Sequence, residues 1–276
     1  MTETIDAHVH YWQVARGDYH WMTPDMPIAR DFGTAEATPL FEAAGIDGII
    51  LVQAAATEAE THFMLSQAAA DLRVRGVVGW IDMEATDAPD RLEALAANRL
   101  LRGIRPMWQD IADDDWFLHK QQDAAYRAII DLGLSFDALA RMRHLKLLPQ
   151  LIERHPNLPI VIDHAAKPEI AAGNHASWRR DMTVLASFPH VMCKFSGLIT
   201  EAAQGAPYEA IQPYAETLLD LFGASRLIFG SDWPVLTTHR DYATWWHWAH
   251  RLTRDHDQNA IFGGNATRFY RLGSAP

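Results

Sequence analysis

The feature that most constrains this chain is a recurrence. Short β-rich runs return eight times: Thr4–His10 (TIDAHVH), Gly48–Gln53 (GIILVQ), Val77–Ile81 (VVGWI), Leu101–Pro106 (LRGIRP), Leu134–Asp137 (LSFD), Ile160–His164 (IVIDH), Val191–Ser196 (VMCKFS) and Leu227–Asp232 (LIFGSD). Between them lie stretches with helical spacing of apolar residues: Thr34–Ala44, Glu58–Leu72, Ala88–Leu100, Lys120–Leu132, Leu145–Arg154, Trp178–Ser187, Tyr208–Phe222 and Asp241–Thr253, with a last short one at Asn265–Arg271. Strands alternating with helices predict a parallel sheet. Eight such units predict closure into a TIM-like (β/α)₈ barrel of the α/β class, which needs about 250 residues. The chain has 276, and no linker, low-complexity tract or composition break divides it. A single domain over residues 1–276 is expected. No Gly-x-Gly-x-x-Gly follows any run, which argues against a doubly wound nucleotide-binding sheet.

Composition narrows the partners. A net charge of -11 makes the chain a poor grip for nucleic-acid phosphates. No apolar run approaches the ~18–20 residues of a membrane span. The start, MTETIDAHVHYW, lacks the basic and apolar regions of a secretion signal. The single cysteine, Cys193, allows no internal disulfide and no zinc-finger spacing. No nucleic-acid or membrane partner is therefore expected, and a reducing cytoplasm is the natural setting. Cys193 sits among apolar neighbours and reads as core. There is no Gly-x-Ser-x-Gly elbow and no P-loop, so serine-hydrolase and nucleotide chemistry have no support.

In a barrel the site belongs at the C-terminal ends of the strands. The loops after the first, fourth and sixth runs are long, and the first two are rich in aromatics. The first run carries Asp6-Ala7-His8-Val9-His10. Strict alternation puts Asp6, His8 and His10 on one face and turns Ile5, Ala7 and Val9 toward the covering helices. Two imidazoles at a strand end can bind one metal or one substrate oxygen. His-x-His alone reads equally well as a core pair. Asp163-His164 ends the sixth run, where a capping Asp and a core His are the alternative. Asp232 ends the eighth, where an N-cap is the alternative. Strands one and eight are neighbours in a closed barrel, so Asp232 is placed to meet His8 and His10. Together the four residues favour a site. Arg105 ends the fourth run and reads as a substrate contact. Asp137 and Arg141 read as substrate contacts or an ion pair, and Lys194 as a buried pair with a carboxylate. The Trp245-Trp246-His247-Trp248 run reads as packing against the barrel or as an oligomer interface, which makes a homodimer an expectation.

The longer strings IDAHVHYW, LRGIRPMWQD, IDHAAKP, KFSGL, FGSDWP and GGNATRFY, spread over residues 5–270, resemble the amidohydrolase superfamily. Within it they resemble the amidohydrolase-related branch that holds sugar lactonases (L-fuconolactonase, L-rhamnonolactonase) and dicarboxylate lactonases. The resemblance implies a distorted barrel that hydrolyses a small carbohydrate-derived lactone. It implies His8 and His10 as metal or carbonyl-polarising residues, His164 as a further base or ligand, and Asp232 as the residue that activates water. The chain departs from the two-metal members, because the fourth run ends in Arg-Pro and the fifth in Phe-Asp, with no bridging Lys or Glu. The fifth run also lacks the His that one-metal members often use there. The resemblance therefore leaves two options: one divalent metal (Zn²⁺) on His8, His10, Asp232 and His164, or none.

Substrate contacts are expected from Arg105, Asp137, Arg141, His144 and Lys167, and from the aromatic faces of Tyr19, Trp21, Trp108 and Trp233. The substrate expected is a neutral aldonolactone. Two or more basic residues converging in the pocket would favour a dicarboxylate or muconolactone-type lactone instead. A zinc-dependent decarboxylase is a further alternative, and it needs the fifth-strand His that this chain lacks.

Overall fold

The structure, a computed structural model, describes residues 2–273. Eight strands follow one another around the sheet: β1 (Ile5–Val9), β2 (Gly48–Val52), β3 (Val74–Gly79), β4 (Leu101–Ile104), β5 (Ser135–Ala138), β6 (Ile160–Ile162), β7 (Met192–Phe195) and β8 (Leu227–Phe229). All neighbours pair in parallel. A parallel bridge between Val9 and Trp233 joins the last strand to the first. Each strand is followed by a helix: α1 (Thr34–Ala44), α2 (Glu58–Ala70), α3 (Ala88–Ala96), α4 (Asp123–Asp131), α5 (Leu148–Arg154), α6 (His175–Ala186), α7 (Tyr208–Phe222) and α8 (Tyr242–Leu252). A ninth, α9 (Asn265–Phe269), ends the barrel. This is the expected TIM-like α/β barrel. Among the described residues no helix is long and apolar enough to cross a membrane.

Most strands stop before the polar residues assigned to their ends. Gln53, Arg105, Asp163, His164, Ser196 and Asp232 lie just past the sheet, where the backbone turns. The expected helix over Lys120–Leu132 opens as a 3₁₀ turn, Lys120–Gln122, before α4 begins.

The core has two layers. Ile49, Leu51, Val77, Ile104, Phe136, Ile162, Phe195 and Phe229 face outward and meet the helices. Ile5, Ala7, Ile50, Val52, Val78, Val161 and Ile228 face inward with Ala266, Tyr270 and Leu272, so the C-terminal segment closes the barrel floor. Cys193 is buried, as expected of a core residue.

This corrects the face assignment in β1. Ile5 and Ala7 point into the barrel, and Asp6 points out, accepting a hydrogen bond from the Tyr242 hydroxyl of α8 at 2.9 Å. The register between β1 and β2 shifts between Asp6 and Val9. An extra residue in one strand reverses the phase of alternation, so His8 and His10 face inward after all, while Val9 joins the outer layer.

The tryptophans of α8 follow the first of the two readings of that run, packing against the barrel. The Trp245 indole is buried and donates to the Gly230 carbonyl at 2.9 Å. Trp246 packs edge-on against Phe229 and Phe262, and Trp248 against Tyr208. Both are half-buried within the chain.

Candidate active site

The bulge in β1 delivers two imidazoles to the barrel mouth. The Nδ1–H of His10 donates to the Val52 carbonyl at 2.7 Å, which leaves Nε2 as the lone-pair nitrogen. That Nε2 lies 3.1 Å from Asp232 Oδ1. Two acceptors face each other there, an arrangement that calls for a proton or a cation between them. Asp232 follows β8 in a left-handed conformation (φ 62°), and its N–H donates to the His8 carbonyl at 2.8 Å. Gly230 makes this approach feasible, because a Cβ there would lie 2.6 Å from the Cβ of His8.

His164 arrives by a stranger route. Four successive residues after β6, His164, Ala165, Ala166 and Lys167, all have positive φ, at 50°, 52°, 58° and 51°. Each non-glycine residue held so costs roughly 1–2 kcal/mol. The surroundings hold the turn in place. The Trp178 indole donates to the Ala165 carbonyl at 2.8 Å, and Ser196 Oγ meets His164 Nδ1 at 2.9 Å. Gly197 (φ +69°) leaves the space the imidazole fills, since a Cβ there would be 2.6 Å from the Cβ of His164. Strain of this kind gathers at functional sites. The result is three imidazoles around one carboxylate oxygen, with the Nε2 atoms of His8 and His164 each 3.8 Å from Asp232 Oδ1.

Behind them lies a buried ionic layer. Arg105 donates to Asp163 Oδ2 at 3.2 Å and to the Gln53 carbonyl. Gln53 returns a hydrogen bond to the Arg105 carbonyl at 2.6 Å. Lys194 donates to Asp137 Oδ2 at 2.7 Å, as the sequence suggested for a buried lysine, and lies 3.1 Å from Asp163 Oδ1. Burial pushes the pKa values of His8, His10 and His164 below the usual range, His164 to about 3. They are uncharged at neutral pH, which leaves Arg105 as the cation beside them. Burial alone would raise Asp232, but in the acid range where it titrates, a protonated His164 beside it and a proton shared with His10 outweigh this and bring it to about 2. It is ionised at neutral pH.

A cleft of about 260 Å³ opens above. His10, Arg105, His164 and Asp232 line it, with Trp21, Arg141 and Lys167 among its walls. His8 lies directly behind, fully buried. Five expected contacts are elsewhere. Tyr19 packs on Trp12, and Trp233 on Phe32. Trp108 packs on Phe117 and Phe136. These aromatic loops bury their rings against one another instead of offering them to the cleft. His144 is buried, its Nδ1 accepting the Arg141 N–H at 3.0 Å. Asp137 lies below the mouth, tied to Lys194 and to the Tyr270 hydroxyl at 2.7 Å. Met107, Gln109, Leu139 and Val235 line the walls without having been singled out, and Gln53 and Ser196 stand behind them. Gln53 and Ser196 lie just past strand ends, which is the one signal that could have flagged them.

Comparison with known proteins agrees with this geometry. Residues 5–272 match the family described as Amidohydrolase. An L-fucono-1,5-lactonase from Burkholderia ambifaria is 44% identical, over 99% of this chain and 97% of its own. An L-fucono-1,5-lactonase from Burkholderia multivorans is 34% identical, over 97% of this chain and 96% of its own. A crystal structure of an amidohydrolase from Burkholderia multivorans with bound zinc superimposes with a TM-score of 0.93 at 33% identity, over 98% of this chain and 100% of that one.

Proposed function

The chain belongs to the amidohydrolase family, and from that premise we propose that it opens a small neutral sugar lactone, an aldonolactone such as L-fucono- or L-rhamnonolactone, to the sugar acid. The relatives' reaction supports the chemistry. The observation that carries the substrate class is the charge balance of the cleft. Three basic residues do converge there, which taken alone would favour a dicarboxylate. Each already faces a carboxylate: Arg105 with Asp163 at 3.2 Å, Lys167 with Glu201 at 3.6 Å and Arg141 with Asp110 at 3.8 Å. An added dianion would find no uncompensated charge. A neutral polyhydroxy ring would find donors and acceptors on every side, and apolar faces in Trp21, Met107, Leu139 and Val235.

Asp232 is ionised and acts as the base. It takes a proton from water as the water oxygen adds to the lactone carbonyl carbon. Arg105, positioned by Asp163 and Gln53, stabilises the oxyanion that forms. The ring C–O bond then breaks, and Asp232 returns its proton to the leaving alkoxide, giving the open-chain hydroxy acid. Asp232 holds its proton weakly, so it is a weak base, and the water must be made more acidic by a nearby positive centre. His10 Nε2 and Asp232 Oδ1 are fit to hold a divalent cation, with His8 completing a group whose ligand atoms all lie within 4.8 Å of one another. When bound, such a cation acidifies water and polarises a carbonyl.

The test is acid release by the purified protein on L-fucono-, L-rhamnono- and galactonolactone, a pyrone dicarboxylate and a muconolactone, with and without chelator. Turnover of the aldonolactones is expected, and the chelator arm reports the metal. Turnover confined to the dicarboxylate or the muconolactone would overturn the substrate class.

A further inference from the structure

One buried cation takes no part in the reaction above. Lys194 lies inside the barrel on β7 with no exposed surface. Its ammonium has three N–H donors and no acceptor. Three acceptor atoms surround it: Asp137 Oδ2 at 2.7 Å, Asp163 Oδ1 at 3.1 Å and His8 Nδ1 at 3.0 Å. Asp137 and His8 take hydrogen bonds from it, while Asp163 Oδ1 pairs with the ammonium by charge. Turning the Nδ1 of His8 into an N–H would set two donors against each other and leave a buried ammonium proton without a partner, a costly defect.

Nε2 of His8 also faces a donor, Arg105 at 3.1 Å. A neutral imidazole has one lone pair and cannot satisfy both. The conflict resolves toward Lys194. Arg105 gives up only its Nη1 contact with His8 and keeps Asp163 and the Gln53 carbonyl as hydrogen-bond acceptors, whereas Lys194 without His8 keeps a single one, Asp137. We infer that Lys194 is a positioning residue that holds the His8 proton on Nε2, so that His8 enters the site as a hydrogen-bond donor and not as a lone pair.

This splits the His-x-His pair. His10 gives its Nδ1 proton to the Val52 carbonyl and presents a lone pair at Nε2. His8 presents an N–H at Nε2, toward the Asp232 oxygen 3.8 Å away. His10 is the acceptor of the site, while His8, beside Arg105, is a donor suited to a developing oxyanion. A metal could recruit His8 only by taking the Nε2 lone pair, and so only by breaking the contact with Lys194. Lys194 thereby weakens zinc binding at this cluster. Only the kinetic arm of the test rests on the lactonase reading.

The tautomer is read directly by two-dimensional ¹⁵N–¹H correlation of histidine-labelled, zinc-free enzyme at neutral pH, with the His8 signals identified by their absence from His8→Gln. A proton on Nε2 is expected, and a proton on Nδ1 overturns the inference whatever the activity. The second arm is Lys194→Met against Lys194→Arg. Calorimetric titration with zinc should show Lys194→Met binding at least tenfold tighter than wild type, with kcat on an aldonolactone reduced tenfold or more and KM within threefold. Lys194→Arg should restore wild-type zinc affinity and most of kcat. Unchanged zinc affinity in a folded Lys194→Met protein overturns the inference. Should that variant fail to fold, the wild-type spectrum alone decides.

Discussion

The floor and the mouth of the barrel are built from the same strands by different rules. At the floor, Ile5, Ala7, Ile50, Val52, Val78, Val161 and Ile228 obey simple alternation and pack under Tyr270 and Leu272. At the mouth the alternation is broken by the bulge in β1, and the inward residues become His8, His10, Arg105, Asp163, His164 and Asp232, all buried. Of the six non-glycine residues with positive φ among those described, five are at the mouth: His164 to Lys167 and Asp232. The contrast separates two jobs. Apolar area at the floor stabilises the fold, and the mouth holds strained backbone and charge that the fold must over-determine.

If that separation is right, variants at the two ends should fail in opposite ways. The largest effect belongs to Asp232→Asn. Loss of the general base should lower kcat by about 10²–10⁴-fold, with the thermal midpoint moved by only a few degrees. Acid-release kinetics beside a thermal melt would check it, and an active Asp232→Asn enzyme would remove Asp232 from its role. The mirror image is Ile228→Ala at the floor. A cavity in the apolar layer should cost about 2–5 kcal/mol in a denaturant titration, with kcat/KM within threefold of wild type. A folded Ile228→Ala protein that had lost turnover would show that the two ends are coupled. Between them stands Gly197→Ala, where a left-handed backbone meets the His164 ring. It should cost about 1–3 kcal/mol and lower kcat roughly tenfold, because the added methyl must move His164.

The same contrast sets what could be read from sequence. The barrel was legible because eight alternations are a global pattern, and boundary errors of a few residues at each strand do not disturb it. Residues at strand ends, His8, His10, Arg105, His164 and Asp232, were legible because topology alone brings those ends together. The phase of β1 was not, since a bulge leaves no mark in five residues of IDAHV. Nor was the choice between aromatics. Trp21 lines the cleft, its indole donating to the Ala54 carbonyl at 2.6 Å, while Tyr19, two residues earlier, packs on Trp12. Both are amphipathic rings in one loop, and only the folded path of the loop separates them. Lys194 was read as a buried ion pair, which it is. Its contact with His8 depends on the bulge and so could not be foreseen.

The smallest predicted effect is a difference in pH slope, and it bears directly on which end of the barrel titrates. His164 has a pKa of about 3 in the folded chain against 6.5 for the ordinary side chain, because burial disfavours its charged form. Between those values the unfolded chain binds the extra proton, so stability rises with pH. The contribution is complete above 6.5 and is lost as pH falls toward 3. Asp6 and Glu60 act with the opposite sign. Burial raises them to about 6 and about 7, so the folded chain is the better proton binder over their ranges and gains stability as pH falls. The net profile of the wild type is therefore a partial cancellation and a poor reporter of any one group. Subtraction is the sharper measurement. Between pH 6.5 and 5.5, His164→Asn should lose about 1 kcal/mol less in denaturant titrations than wild type. Ile228→Ala, starting from a lower stability, should keep the wild-type slope because nothing that titrates has changed. Parallel profiles for wild type and His164→Asn would mean that His164 is already protonated in the folded protein. The positive charge at the mouth would then be shared between Arg105 and an imidazolium.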